Sequence, residues 1–226
     1  MPDPSSSLIP HITVEPQSDT QFSVIWLHGL GASGHDFEPI VPELKLPESL
    51  AVRFIFPHAP ERPVTINNGM VMPAWYDITG LDFDKRADLD GFVNSGALVE
   101  AFIASEIDKG IPAERILLAG FSQGGALALH TGLRYPQRLA GVMALSTYLA
   151  TGTSLAEEGS LANRDIPILY AHGLQDPMIP LGQAMKSRDR LKELGYDVEW
   201  HQYMMEHQVC MEEITDISRW LQYCFR

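Results

Sequence analysis

Short apolar runs alternate with longer amphipathic stretches along the chain of 226 residues. The runs are rich in β-branched and aromatic residues and several end at Gly or Pro, which is typical of buried strands. They predict six strands, at 22–29, 51–57, 115–122, 139–146, 166–173 and 198–204. Apolar positions at helical spacing predict helices at 94–109, 123–135, about 182–194 and about 211–224. This alternation predicts the α/β class, with a mostly parallel central sheet and helices on both faces.

The segment 57–94 interrupts this alternation. It is rich in Pro, Gly, Asn and Asp and has no clear periodicity, and a connection that long inside a compact domain is usually functional. The chain shows no internal repeat, low-complexity tract or linker. We therefore predict a single domain, 1–226, in which 57–94 is a long loop insertion over the end of the sheet that carries the active site.

The charge balance narrows the classes of partner. Sixteen Lys and Arg against 29 Asp and Glu give a formal net charge of −13, which argues against nucleic-acid and anionic-membrane partners because both need clustered basic residues. No apolar run is long enough for a membrane span, and the N-terminus lacks the basic start of a signal peptide. The two cysteines, Cys210 and Cys224, are too few for a disulfide framework or a metal cage. We expect a cytoplasmic protein.

Residues 120–124, GFSQG, match the G-x-S-x-G pattern of a nucleophile elbow. The pattern lies between a predicted strand and a predicted helix, where a sharp turn leaves room only for glycine on both sides of the serine. Such a turn would present the Ser122 hydroxyl at the carboxyl edge of the sheet, beside the N–H groups of the following helix. Ser122 is thus the candidate nucleophile.

A serine nucleophile needs a base and an acid, which follow it in the order acid, then histidine, in elbow-type hydrolases. His201 lies within a predicted strand, whereas His207 follows that strand and is free to reach over the sheet edge. Among the acids, Asp176 follows the strand 166–173 at its carboxyl end, the same edge as Ser122. Position along the chain therefore selects Ser122, Asp176 and His207 as a catalytic triad.

An oxyanion hole should complete the site, because it stabilises charge that forms only in the transition state. The backbone N–H of Gln123, directly after the nucleophile, is one expected donor. The second is expected from the glycine-rich loop 27–34, LHGLGASG, and we favour the N–H of Leu30. His28 is expected to brace this loop.

Four blocks of the sequence resemble the acyl-protein thioesterase/lysophospholipase-like carboxylesterases of the α/β-hydrolase fold, with the bacterial carboxylesterase branch as the nearest likeness. The blocks are LHGLGASGHDF, PHAPERPVTINNGMVMPAWYDI, RILLAGFSQGGALALH and YAHGLQDPMIP. The resemblance implies hydrolysis of carboxylic esters and acyl thioesters without a cofactor or a metal, and it implies the same triad and oxyanion donors. One departure is Glu206, since the family more often has glycine before the histidine.

The insertion is expected to supply contacts to the acyl chain of the substrate, through Met70, Met72, Trp75 and Leu81. The primary prediction is a broad carboxylesterase that acts on small or lipid-like esters through an acyl-enzyme. The alternative is an acyl-protein thioesterase or lysophospholipase that acts on long acyl chains, on a lipid or an acylated protein. A non-catalytic binding module on the same fold is a third hypothesis. Homodimerisation through exposed apolar residues of the insertion or a late helix is a further prediction.

Overall fold

The computed structural model describes residues 8–80, 83 and 88–226. Nine strands are present in this part of the chain: β1 His11–Val14, β2 Phe22–Leu27, β3 Val52–Pro57, β4 Glu61–Val64, β5 Met70–Pro73, β6 Ile116–Phe121, β7 Gly141–Leu145, β8 Ile168–Gly173 and β9 Val198–Tyr203. Its α-helices are α1 Ile40–Glu43, α2 Leu89–Asp108, α3 Gln123–Gly132, α4 Leu155–Glu158, α5 Leu181–Glu193 and α6 Met211–Cys224.

Seven strands form one central sheet in the order β1-β3-β2-β6-β7-β8-β9. All neighbouring pairs are parallel except β1 with β3. The carboxyl ends of β6, β8 and β9 consequently lie at the same edge of the sheet. The six predicted strands and the α/β class with a mostly parallel central sheet are confirmed.

The sheet is buried on both faces because each inner strand contributes side chains alternately to two hydrophobic cores. Ile25 and Leu27 of β2 lie in the core shared with α2, α3 and α5, and Val24 and Trp26 lie in the core shared with α1 and α6. All six residues of β2 are buried. Two-sided burial explains why these strands have continuous apolar sequences instead of alternating ones.

Three strands were not evident from the sequence. Strand β1 is short and half-exposed at the sheet edge, so its sequence carries little hydrophobic signal. Strands β4 and β5 lie within the segment 57–94 and pair as an antiparallel hairpin, with Glu61 opposite Pro73 and Val64 opposite Met70. This hairpin contains prolines and mostly exposed side chains, so its sequence lacks the apolar run by which the buried strands were predicted.

Helix α2 begins at Leu89, five positions before the predicted start at residue 94. The carboxylate of Asp88 caps it by accepting a hydrogen bond of 2.9 Å from the N–H of Gly91. This capping aspartate belongs to an Asp-rich run, so its signal is not distinct in the sequence. No helix in the described part of the chain is long and apolar enough to cross a membrane.

Candidate active site

The turn between β6 and α3 holds Ser122 in a strained backbone conformation, with φ of 55° and ψ of −118°. A Cβ on Gly120 would lie 2.2 Å from the carbonyl oxygen of Gly124, and a Cβ on Gly124 would lie 2.3 Å from that of Leu27. Both glycines are therefore required by backbone contacts. The strain at Ser122, of order 1–3 kcal/mol, is borne by the surrounding fold, including a 2.9 Å hydrogen bond from its N–H to the Leu145 carbonyl.

The three candidate catalytic side chains form one chain of hydrogen bonds. Nε2 of His207 lies 2.9 Å from Oγ of Ser122, and its Nδ1 lies 2.7 Å from Oδ2 of Asp176. Because an ionised Asp176 can only accept, the geometry assigns the ring proton to Nδ1 and leaves Nε2 to accept from the serine hydroxyl. This is the tautomer that a general base acting on Ser122 requires.

Asp176 is held as a carboxylate although its side chain is fully buried. Burial alone raises its pKa, but hydrogen bonds from His207 and from the N–H groups of Ile179 and Met178 lower it, and the pKa lies below the ordinary value. The two backbone bonds, of 2.9 Å and 2.8 Å, both end on Oδ1. Oδ2 is thus directed at the imidazole.

The loop that carries Asp176 and the loop that carries His207 are bonded to each other. The N–H groups of Leu174 and Gln175 donate to the carbonyls of Tyr203 and Met205. Gly173 permits this contact, because a Cβ there would lie 2.4 Å from the carbonyl oxygen of Glu206. The segment that follows β8 is therefore bonded to the end of β9 and to the segment after it, which holds the loops of Asp176 and His207 together at this edge.

Glu206 does not disturb this edge. Its side chain is exposed and its φ is not positive, so the backbone at this position does not require the glycine that the resemblance led us to expect. The competing histidine, His201, bonds to Glu199 at 2.8 Å and lies 3.4 Å from Asp216. It is thus engaged away from Ser122.

The two expected oxyanion donors lie at the same cavity as Ser122. Among the described residues, neither the N–H of Leu30 nor that of Gln123 has a hydrogen-bond acceptor. Gln123 opens α3, whose first N–H groups have no acceptor within the helix. Both N–H groups consequently belong to residues that line the cavity and have no protein acceptor among the described residues.

His28 holds the loop that carries Leu30. Its Nδ1 lies 2.7 Å from the carbonyl oxygen of Gly29, and its Nε2 accepts a 3.0 Å hydrogen bond from the N–H of Ala59. Burial lowers the pKa of His28, which favours the neutral ring that this pair of bonds requires. The expected bracing contact is therefore present in the structure.

A cavity of about 950 Å³ opens at Ser122 and His207. Most of its lining is apolar. It comes from the loop after β2, the region around α1, the insertion, the end of β6, the loop after β8 and the start of α6 with the residues before it. The apolar lining residues include Leu30, Phe37, Ile40, Ile66, Met72, Ile78, Phe121, Met178, Ile179, Val209 and Ile214. Its volume is in the range of a site for a drug-sized ligand.

The four predicted acyl-contact residues do not share one environment. Met72 lines the cavity. Met70 does not, since it lies at the hairpin end and is 63% exposed, and Trp75 does not, since it is fully buried. Trp75 instead donates from its indole N–H to the carbonyl oxygen of His28, at 2.9 Å. Leu81 lies outside the described residues.

Several cavity residues were not singled out from the sequence. Ile66, Tyr76 and Ile78 belong to the insertion, and Phe37 and Ile40 belong to the region around α1. The segment PHAPERPVTINNGMVMPAWYDI contains all three of these insertion residues, but nothing in its pattern separates wall residues from core residues. No group of three or more His, Cys, Asp or Glu side chains among the described residues is placed to hold a metal ion.

A mostly parallel sheet with a strained serine at its carboxyl edge, next to an Asp–His pair, defines a serine hydrolase with the α/β-hydrolase fold. The family described as Phospholipase/Carboxylesterase matches residues 10–225. The chain belongs to this family, and it is a serine ester or thioester hydrolase. The resemblance inferred from the sequence is confirmed.

Relatives and solved structures agree with this assignment. Acyl-protein thioesterase 1 of Neurospora crassa is 42% identical over 208 residues, which cover 88% of this chain and 85% of the relative. Acyl-protein thioesterase 1 of Yarrowia lipolytica is 38% identical over 94% of this chain and 96% of the relative. The crystal structure of Arabidopsis thaliana SOBER1 matches with a TM-score of 0.87 at 32% identity, over 92% of this chain and all of that chain.

Proposed function

We propose that this hydrolase removes long acyl chains from thioesters or esters and that its substrate is an acylated protein, the substrate class in the names of its relatives. The observation that carries the proposal is the apolar cavity of about 950 Å³ at the nucleophile, because burying a methylene group contributes about 0.8 kcal/mol and a long chain can exploit such a volume. The names of the curated relatives support this alternative better than the broad carboxylesterase that was the primary prediction.

In the proposed mechanism, Nε2 of His207 accepts the Ser122 proton as Oγ attacks the acyl carbonyl carbon. Asp176 orients the imidazole and stabilises its charged form. The N–H groups of Leu30 and Gln123 donate to the oxygen that becomes negatively charged. The imidazolium then protonates the departing thiolate or alkoxide, and a water molecule, activated in the same way, releases the fatty acid from the acyl-enzyme.

Hydrolysis of p-nitrophenyl esters with two to sixteen carbons, together with an S-palmitoylated peptide and a lysophospholipid, tests the proposal. We expect kcat/KM to rise with chain length and the thioester peptide to be cleaved, with every activity reduced at least a thousandfold in Ser122→Ala. A maximum at two to four carbons, with no cleavage of the peptide, would return the assignment to a broad carboxylesterase. Cleavage of the lysophospholipid alone would identify the leaving group as a lipid.

A matched pair of variants tests the role of the cavity wall. Met72→Trp narrows the cavity, whereas Met70→Trp makes the same change at the exposed end of the same strand. We expect the first to lower kcat/KM for chains of twelve to sixteen carbons at least tenfold and to change that for two carbons less than threefold. The second should leave the profile of the wild type. Equal effects of both variants would contradict the assignment of this cavity to the acyl chain.

A further inference from the structure

A short segment, residues 73–76, leaves the end of β5 and is bonded to both sources of oxyanion donors, and we call it the strap. Ala74, Trp75 and Tyr76 are fully buried. The carbonyl of Pro73 accepts a 2.9 Å hydrogen bond from the N–H of Gly31. The indole of Trp75 donates to the carbonyl of His28. The strap thus bonds to both sides of Leu30, the residue that carries one donor.

The other end of the strap is bonded to Gln123, the residue that carries the second donor. The Gln123 side chain is buried, and its Oε1 accepts a 2.8 Å hydrogen bond from the N–H of Trp75. Its Nε2 donates a 2.6 Å hydrogen bond to the carbonyl of Tyr76. One side-chain amide therefore satisfies a backbone donor and a backbone acceptor on neighbouring residues, which permits only one orientation of the amide.

These contacts connect two segments that are far apart in sequence through one buried element. The N–H of Leu30 lies on a loop after β2, and that of Gln123 lies at the start of α3. Their relative position determines whether both can bond to a single oxygen atom, since an oxyanion hole is effective only with donors about 2.7–3.1 Å from that oxygen. A misplacement of about 1 Å costs on the order of a hundredfold in rate.

We propose that the side-chain amide of Gln123 is a positioning group that, through the strap, sets the distance between the two oxyanion donors. The inference rests on the proposed function of the site and extends it, since the expected role of Gln123 concerned only its backbone N–H. The side chain does not touch the substrate in this mechanism. It acts on Trp75 and Tyr76, and through the strap on the loop of Leu30.

Two substitutions at residue 123 keep the backbone N–H and change only the side chain. Gln123→Met has nearly the same length and removes both hydrogen bonds. Gln123→Glu keeps an acceptor for Trp75 but places a carboxylate oxygen against the Tyr76 carbonyl, unless the carboxyl is protonated. We expect kcat for p-nitrophenyl butyrate to fall 10- to 100-fold in Gln123→Met, with KM changed less than threefold. In Gln123→Glu the deficit relative to the wild type should shrink as the pH falls from 8 to 5.

Asn163 provides a matched control away from the cavity. Its buried side-chain amide accepts from the N–H of Leu139 and donates to the carbonyls of Tyr135 and Gln137. Asn163→Leu removes a comparable set of buried hydrogen bonds, so it should lower the melting temperature at least as much as Gln123→Met while kcat stays within twofold of the wild type.

Inhibition by n-butylboronic acid separates positioning from general stability. Its tetrahedral adduct with Ser122 places an oxygen between the two donors, so its inhibition constant should rise by the same factor as kcat/KM falls in Gln123→Met. If the wild type hydrolyses the ester and Gln123→Met retains its kcat and its inhibition constant, the inference is wrong and the proposed function stands. If the folded wild type hydrolyses neither this ester nor longer ones, the proposed function itself fails.

Discussion

Replacement of Asp176 by asparagine would test the hydrogen-bond chain from Asp176 through His207 to Ser122, because it changes only one side-chain oxygen into an NH2 group. Oδ1 of Asp176 accepts two backbone N–H groups, from Met178 and Ile179, and an asparagine keeps these bonds only if its oxygen takes the same place. Its NH2 group then faces Nδ1 of His207, where the carboxylate oxygen was at 2.7 Å. The reverse orientation would set the NH2 group against two N–H donors and lose both bonds. The fold thus determines which way the amide points.

This orientation places two donors opposite each other, so the imidazole moves its proton to Nε2. Nε2 then cannot accept the proton of Ser122, which lies 2.9 Å away. A change to the wrong tautomer in a triad of this kind costs roughly 10⁴-fold in kcat. At about 1.36 kcal/mol for each factor of ten, the barrier should rise by about 5 kcal/mol, with KM little changed.

The assay is steady-state hydrolysis of p-nitrophenyl octanoate by Asp176→Asn, after circular dichroism has shown that the variant is folded. Asp216→Asn is the control, because Asp216 also lies near a histidine, His201, and accepts from the hydroxyl of Tyr203 at 2.8 Å, but it is outside the cavity lining. The control should keep at least half of the wild-type kcat. A folded Asp176→Asn that retained more than a tenth of the wild-type kcat would refute the assigned tautomer and the role of the acid.

Two glycine substitutions test the steric requirement at the turn that carries Ser122. Gly124→Ala forces a Cβ to within 2.3 Å of the Leu27 carbonyl oxygen, so we expect a loss of several kcal/mol and of nearly all activity. Gly182→Ala in α5, which has open space around it, should be neutral or stabilising by up to about 1 kcal/mol. Equal melting temperatures of the two variants would contradict the steric argument.

Burial raises the pKa of Glu213 from 4.5 to about 8, so between these pH values the folded state holds a proton that the unfolded state has lost. The free energy of unfolding therefore falls as the pH rises through this window, by about 1.4 kcal/mol per pH unit. Glu213→Gln should remove this slope in urea titrations at pH 5, 6.5 and 8. If the unfolding free energy of Glu213→Gln depended on pH as steeply as that of the wild type, Glu213 would not be the group responsible.

The sequence alone determined the features that depend on local pattern and chain order. Apolar runs bounded by turn residues predicted the six main strands, and G-x-S-x-G between a strand and a helix predicted the elbow at Ser122. Since the strands are parallel, residues that follow them meet at one edge, which was enough to predict that Asp176 and His207 lie next to Ser122. In the structure His207 lies between the other two side chains, with its Nδ1 2.7 Å from Oδ2 of Asp176 and its Nε2 2.9 Å from Oγ of Ser122.

Only the tertiary structure decided what the insertion does. Trp75 has the sequence character of an acyl-contact residue, yet it is buried and bonds to His28, whereas Met72 lines the cavity. The side chain of Gln123 could not be assigned from its neighbours, because its partners are 47 and 48 positions away. Hydrogen bonds between irregular segments follow no periodicity, since their partners are set by how the segments pack together. The residues that line the cavity could therefore be identified only from the tertiary structure.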